Sequence, residues 1–227
     1  TFLEVPTGIQ KGEPLMVATL SFLSYLLGAT KQSAGTILAI YPVLSGLITG
    51  VFVYLIAIHL TGDKRVGLAS IVVLAITPIH AMRTSLGFAD HHAFDYLWLI
   101  LTAVLLTFLL GQSDEDRLLN PRTWLLSGLF GIAIAGQVVT WEAGPLLIAP
   151  IGLVIVALAI RSVYLDEPLV SQSLPIFAGL GVATLLSGGI HTVVGWHTAE
   201  VAFSPALVLV GVAEVIVLAE IIRLTSA

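Results

Sequence analysis

An aspartate and two adjacent histidines, Asp90-His91-His92, with Asp95 three residues on, stand in the segment R-T-S-L-G-F-A-D-H-H-A-F-D from Arg83 to Asp95. Apolar segments long enough to cross a bilayer lie on both sides of it. Ionisable groups at a lipid boundary are costly, and crossing a membrane does not require them there, so they point to chemistry. A carboxylate oxygen and an imidazole nitrogen together suit Mn²⁺, Mg²⁺ or Zn²⁺. Residues two apart on a regular helix point about 200° away from each other, so Asp90 and His92 cannot share an ion from a helix interior. At a helix start the chain is still extended. There Asp90 is expected to act as N-cap and to turn its carboxylate, with the His92 imidazole, toward one point. Asp95 follows His92 by three and His91 by four, where its carboxylate can accept an imidazole N–H. Two ligands do not complete a site, so the rest must come from elsewhere. The same residues also fit a plainer reading, with Asp90 only capping a helix and the histidines sitting in the headgroup layer.

Other candidates surround this motif. Arg83 can bind an anionic phosphate, although a single Arg at a helix end commonly snorkels to the interface, and snorkelling is expected here. Glu142, in T-W-E-A-G from Thr140 to Gly144, can reach the same cavity, or else stand solvated beside an interfacial Trp141. His191, Trp196, His197 and Glu200 form a further polar cluster, read as a wet loop. Glu214 and Glu220 interrupt the last apolar stretch, where carboxylates are functional candidates by default, and Glu220 has Arg223 beside it. His59 and His80 lie near helix ends and are expected at the interface.

The elements that must position these groups follow from composition. With 57% hydrophobic and 10% charged residues and a mean hydropathy of +1.04, the chain is an integral membrane protein. It has no cysteine, which excludes disulfides and thiolate metal sites, and its net charge of -5 argues against a nucleic-acid partner. The chain opens at Thr1, and Thr1 to Glu13 lacks the basic start and apolar core of a signal peptide, so it reads as an internal fragment. The acidic run Ser113-Asp114-Glu115-Asp116 is compatible with a salt-loving source without establishing one.

Seven apolar stretches have the length of a membrane span: 36–60, 66–82, 93–111, 123–141, 145–161, 174–192 and 203–222. All should be helical, because lipid leaves backbone groups no other way to be satisfied. Leu15 to Leu27 is shorter and predicts a non-spanning helix ended by Gly28, so 1–35 reads as the end of a first external loop and 36–227 as a transmembrane domain. Lys64, Arg65, Arg117, Arg122, Arg161 and Arg223 fall on one side of these spans, which is therefore cytoplasmic, against Lys11, Lys31 and Arg83 on the other. Asp90, His91, His92, Glu142, His197 and Glu200 then lie on the external face. Gly62-Asp63, Asn120-Pro121 and Glu167-Pro168 are breakers at cytoplasmic ends, and Ala143-Gly144-Pro145 makes a tight external turn. Small residues recur four apart at Ser127/Gly131/Ala135 and Gly179/Ala183, a spacing that allows close helix approach but names no partner. There is no internal repeat of the kind found in many transporters.

The segment from Arg83 to Asp95 resembles the second acidic motif of archaeal oligosaccharyltransferase catalytic subunits, in which Asp-His-His follows a Gly three positions earlier, here Gly87. The resemblance extends to the order of parts: an external-loop helix, a hairpin of two spans, then the motif opening the next span. It implies an all-α polytopic helix bundle of the GT-C glycosyltransferase type. It also implies that Asp90 and His92 are catalytic ligands of a divalent metal, Mn²⁺ or Mg²⁺, with His91 beside them and Asp95 at a position that is often Glu in the family. The implied reaction moves an oligosaccharide from a dolichyl phosphate or diphosphate carrier to Asn of an Asn-x-Ser/Thr acceptor polypeptide on the external face. The family's first-loop Asp is expected before Thr1, and its later Glu and soluble acceptor-binding domain after Ala227, so the fragment alone is expected to be inactive. His197-Thr198-Ala199-Glu200 matches the family's Thr-Ile-x-Glu motif loosely and comes too early in the span order, so Glu200 is not carried over. Two rival readings are another lipid-linked glycosyltransferase such as a protein O-mannosyltransferase, and a transporter using Glu214 and the histidines as a relay.

Overall fold

The computed structural model describes residues 14–112 and 117–226. The expectations for Thr1 to Glu13, Lys11 among them, and for the acidic run 113–116 lie outside the described residues. The described chain is all helix, with no strand: α1 (Pro14–Leu26), α2 (Lys31–Thr61), α3 (Lys64–Ile76), α4 (Pro78–Arg83), α5 (His92–Leu110), α6 (Pro121–Thr140), α7 (Gly144–Leu165), α8 (Val170–Val194), α9 (Ala199–Ala202) and α10 (Ser204–Ser226). Among the described residues, α2, α5, α6, α7, α8 and α10 are long and apolar enough to cross a membrane. The fold is an all-α bundle of long apolar helices, as the sequence predicts.

The stretch 66–82, expected as one span, is instead two helices, and the break has a local cause. Pro78 has no N–H and disfavours helical geometry at the residue before it, so Thr77 takes extended dihedrals (φ -67, ψ 115) and α4 restarts with Pro78 in its first turn. Elsewhere the sequence boundaries miss polar helix ends. The helix containing 36–60 begins at Lys31, because the Thr30 hydroxyl accepts from the Ser33 N–H and the Ser33 side chain accepts from the Thr30 N–H. Its 31 residues extend about 46 Å, more than the ~30 Å hydrocarbon core needs. It ends at Gly62, whose φ of +70 lets the chain reverse, and the Asp63 carboxylate then caps α3 by accepting from the Arg65 N–H. Asn120 caps α6 in the same way, with Pro121 following it. The α1 helix, 13 residues long, is too short to span by itself.

The bundle is built around α6, the most deeply buried of the six long apolar helices among the described residues. Its Phe130, Ile134 and Val138 pack with Ile148 and Ile155 of α7 and Ile176 and Leu180 of α8. The small residues in the sequence mark the closest approach. A Cβ on Gly131 would meet the backbone oxygen of Gly179, and one on Gly179 would lie 2.7 Å from the Phe130 ring. The Ser127 hydroxyl also donates to the Pro175 carbonyl at 2.5 Å. The partner of the Ser127/Gly131/Ala135 stripe is therefore α8. Where α6 turns into α7, a Cβ on Gly144 would lie 2.7 Å from the Gln137 carbonyl oxygen, so glycine is what allows the tight turn.

Lys64, Arg65, Arg117, Arg122, Arg161 and Arg223 lie at one end of the bundle, and Lys31 and Arg83 at the other. Arg161 pairs with Glu167 at 3.0 Å, and Arg223 pairs with Glu220 at 2.9 Å and Asp166 at 3.2 Å. Glu220 also accepts from the Leu169 N–H at the start of α8, so it serves as a structural cap. Glu214 is exposed on α10, without an ion pair or hydrogen bond among the described residues. His59 is exposed against Phe108, but His80 is buried at 8% exposure and faces Tyr96 rather than sitting at the interface.

The α6–α8 contact makes a direct prediction. Gly131→Ala should destabilise the protein by about 1–3 kcal/mol, because its new methyl meets backbone that cannot move aside. Gly128→Ala, where nothing lies within 4 Å, should be neutral or stabilising by up to ~1 kcal/mol. Thermal unfolding in detergent measures the difference, and equal midpoints for the two variants would contradict this packing.

Candidate metal centre

The residues from Arg83 to Asp95 bring α4 and α5 together at the end of the bundle opposite the Arg223 cluster. The chain leaves α4 at Arg83, turns through Gly87 at φ +80, and enters α5 at His92. Asp90 does not cap that helix. The N-cap position falls to His91, which is helical (φ -61, ψ -28) and makes no side-chain cap. The Asp90 carboxylate is drawn away by stronger partners than a single backbone N–H. One oxygen, Oδ2, is paired with the Arg83 guanidinium. The other, Oδ1, lies 2.9 Å from His91 Nδ1 and 3.1 Å from His92 Nδ1.

Arg83 therefore does not snorkel. The turn after α4 folds back and brings Asp90 to the guanidinium, which also lies 5.4 Å from the centre of the Phe88 ring. A carboxylate is a better partner for it than an interface shared with lipid headgroups. Asp95 is buried one helical turn beyond His91, with Oδ2 3.7 Å from His91 Nε2.

The arrangement suits a cation. Ligand atoms of Asp90, His91 and His92 all lie within 4.8 Å of one another. The two imidazole rings lie side by side, 4.1 Å apart at 37°. When His91 carries its proton on Nε2, toward Asp95, its Nδ1 lone pair faces the Asp90 oxygen. Electron-rich atoms at such a separation repel unless a proton or a metal ion lies between them. Two ligands bound at ~2.1 Å and a right angle would be about 3.0 Å apart, close to the 3.1 Å between Asp90 Oδ1 and His92 Nδ1. These residues fit a divalent ion, and His91 is as close to the shared oxygen as His92 is.

The loop between α6 and α7 meets the motif through Trp141, in line with the second of the two readings of this loop, a solvated Glu142 beside Trp141. Trp141 lies 5.6 Å from the His91 ring and 6.1 Å from the His92 ring, whereas Glu142 is exposed and has no ion pair or hydrogen bond among the described residues. The backbone at Trp141 is extended (φ -143, ψ 142), and extended chain sends successive side chains to opposite sides. The cluster read as a wet loop is also tied down. His197, at φ +60, places Nε2 2.8 Å from the Val139 carbonyl at the end of α6, and His191 Nδ1 lies 3.1 Å from the His197 carbonyl. Glu200 is exposed, and its own backbone N–H and then the Thr198 hydroxyl hold its carboxyl below the ordinary glutamate range. Tyr41 was missed altogether: its hydroxyl donates to the Asp90 carbonyl. A tyrosine among aliphatic residues of a span was the available signal, since a buried phenol seeks an acceptor. A cavity of about 540 Å³ lies at the opposite end of the bundle, with His59, Gln112, Arg117 and Arg122 in its lining.

The family model described as oligosaccharyl transferase STT3, N-terminal, matches residues 3–226. Dolichyl-phosphooligosaccharide-protein glycotransferase 3 of Archaeoglobus fulgidus is 32% identical over 145 residues, which cover 61% of this chain and 16% of that protein. Glycotransferase 2 of the same organism is 28% identical over 116 residues, 51% of this chain and 18% of its own length. The structure of the archaeal oligosaccharyltransferase AglB from Archaeoglobus fulgidus, with an inhibitory peptide and a dolichol-phosphate, superposes with a TM-score of 0.72 at 20% identity, covering 93% of this chain and 25% of that one. The Archaeoglobus fulgidus oligosaccharyltransferase in complex with Zn and sulfate gives 0.71 at 21% identity, covering 93% and 26%. This likeness shows a shared fold, the GT-C type that the resemblance implies. The chain spans about a sixth of the length of the curated relatives and a quarter of the solved structures.

The contrast between the neighbours Trp141 and Glu142 is testable. Trp141→Ala, which removes the ring beside both histidines, should lower the thermal midpoint by a few degrees, as a loss of ~1–2 kcal/mol does in a protein of this size. Glu142→Gln should leave the midpoint unchanged. A larger effect from Glu142→Gln would contradict the placement of this loop.

Proposed function

The chain belongs to the oligosaccharyl transferase STT3 family, and from that premise we propose that it supplies part of the active site for moving a lipid-linked oligosaccharide onto asparagine. The acceptor is an Asn-x-Ser/Thr polypeptide, the donor a dolichyl phosphate or diphosphate glycan, and the site faces the outside of a membrane. The observation that carries this reading is the meeting of Asp90, His91 and His92 at one point beside Arg83. Solved relatives support it by what they bind: one holds a dolichol-phosphate with an inhibitory peptide, another Zn and sulfate, and a third an acceptor peptide containing the NVT sequon.

Asp90 and His92 would hold a divalent ion, Mn²⁺ or Mg²⁺, with His91 in reach of the same position. When bound, such an ion stabilises negative charge on a departing phosphate. The remaining roles belong to the chain. Arg83 orients the Asp90 carboxylate by fixing one of its oxygens, leaving the other toward the histidines. Asp95, buried behind His91, favours the proton on Nε2 and so keeps Nδ1 available as a donor atom. The carboxylates near the ion can also orient the acceptor amide, a poor nucleophile that gains from being held in place. Six basic side chains at the opposite end of the bundle support the external placement of Asp90, by the bias of Lys and Arg toward the cytoplasm.

The transporter reading needs Glu214 in line with the histidines. Glu214 is exposed on α10 without a partner among the described residues, which does not favour a relay. The family match does not favour an O-mannosyltransferase.

In the full-length protein, Asp90→Ala should reduce glycan transfer to an Asn-x-Thr peptide by ~100-fold or more and abolish its stimulation by Mn²⁺. Transfer at the wild-type rate in that variant would overturn the proposal.

A further inference from the structure

We propose that α2 is the template that sets the position of Asp90, with Tyr41 as a positioning residue for the metal centre. The inference rests on reading Asp90 and His92 as metal ligands.

Three separate contacts dock the turn between α4 and α5 onto one stretch of α2. The Tyr41 hydroxyl donates to the backbone carbonyl of Asp90 itself. The Gly87 N–H donates to the Ala39 carbonyl at 2.9 Å. Gly46, two turns along α2 from Ala39, receives Thr84 so closely that a Cβ there would lie 2.7 Å from the Thr84 Cβ. Both ends of the turn and its middle are thus referred to the same helix.

The sequence explains why α2 can do this. Pro42 stands inside α2 and lacks the N–H that would pair with the Leu38 carbonyl, which leaves that carbonyl without its helical donor. Within that turn the Ala39 carbonyl also accepts a bond from outside the helix, the Gly87 N–H. Gly87 presents its N–H there through a left-handed conformation, φ +80, that a side chain disfavours. Tyr41 is 6% exposed and packs with Leu20 of α1 and with Ala93 and Phe94 in the first turn of α5. Its ring therefore holds the helix that carries His92, while its hydroxyl holds the residue that carries the carboxylate. The Met16 thioether of α1 lies 3.5 Å from the same hydroxyl. The phenol has one proton to give, and a carbonyl is the stronger acceptor.

Both points bear on metal affinity. Ligands on two sides of a helix start converge only if the backbone between them is fixed, and loss of a group that orients a ligand typically weakens binding 10- to 100-fold. Tyr41→Phe keeps the ring packing and removes only the hydroxyl.

The test is a Mn²⁺ titration of the full-length protein, followed by the electron paramagnetic resonance signal of free Mn²⁺, with thermal midpoints measured without metal. Tyr41→Phe should raise the Kd for Mn²⁺ about tenfold with little change in midpoint. Met16→Leu, which leaves the carbonyl acceptor in place, should keep the wild-type Kd. Gly46→Ala displaces Thr84 without touching Asp90 or Tyr41, should also raise the Kd, and decides the matter if Tyr41→Phe does not fold. A wild-type Kd in Tyr41→Phe overturns the inference while leaving the metal reading intact. So does a rise in Kd that only tracks a fall in midpoint. If the wild type binds no Mn²⁺, or Asp90→Asn binds it equally well, the metal reading itself fails and this inference falls with it.

Discussion

A carboxylate at the edge of a bilayer must be surrounded by positive charge and hydrogen-bond donors, and that constraint organises the end of the bundle around Asp90. Arg83 fixes one oxygen, two imidazoles converge on the other, and Tyr41 holds the backbone of the same residue. Each partner comes with structural consequences. Arg83 stands at the end of the short α4 that restarts after Pro78. His91 falls at the N-cap of α5 and His92 opens the helix, and Tyr41 ties this turn to α2. An isolated helix start with a capping aspartate would need none of these.

The rest of the bundle supplies a rigid base for that cluster. Lipid is as apolar as leucine, so helices in a membrane are held by close packing rather than by escape from water. The glycines of α6 and α8 allow backbone contact at Gly131 and Gly179, and Gly144 lets α7 turn back tightly on α6. This packing fixes the end of α6, from which Trp141 reaches the histidines and Val139 offers its carbonyl to His197. The centre thus rests on α2 on one side and on α6 on the other.

Much of this was legible in the sequence because the physics was local. Apolar runs gave the long helices, Gly62, Asp63, Asn120 and Pro121 marked their ends, and Asp90-His91-His92 stood out because polar groups are scarce in such a chain. What escaped depended on tertiary contacts or on a local rule with too little weight given to it. The stretch 66–82 has the length and apolarity of one span, and the break comes from the single residue Pro78. The role of Arg83 could not be read from its position, because the turn that brings Asp90 to it is set by bonds to Ala39 and Tyr41, far away in sequence. The choice between Trp141 and Glu142 hung on one extended residue at the end of α6. Tyr41 carried no motif at all, and only a packed structure shows what its hydroxyl meets.

The central claim is that Asp90 and His92 bind a divalent ion directly. Pulsed electron paramagnetic resonance of Mn²⁺ bound to the full-length protein tests it most closely, because ¹⁴N modulation of the echo reports imidazole on the ion. The account predicts clear ¹⁴N modulation in the wild type that weakens when His92 is replaced by Ala. Mn²⁺ that binds with no ¹⁴N modulation, or with modulation unchanged by that replacement, would contradict it.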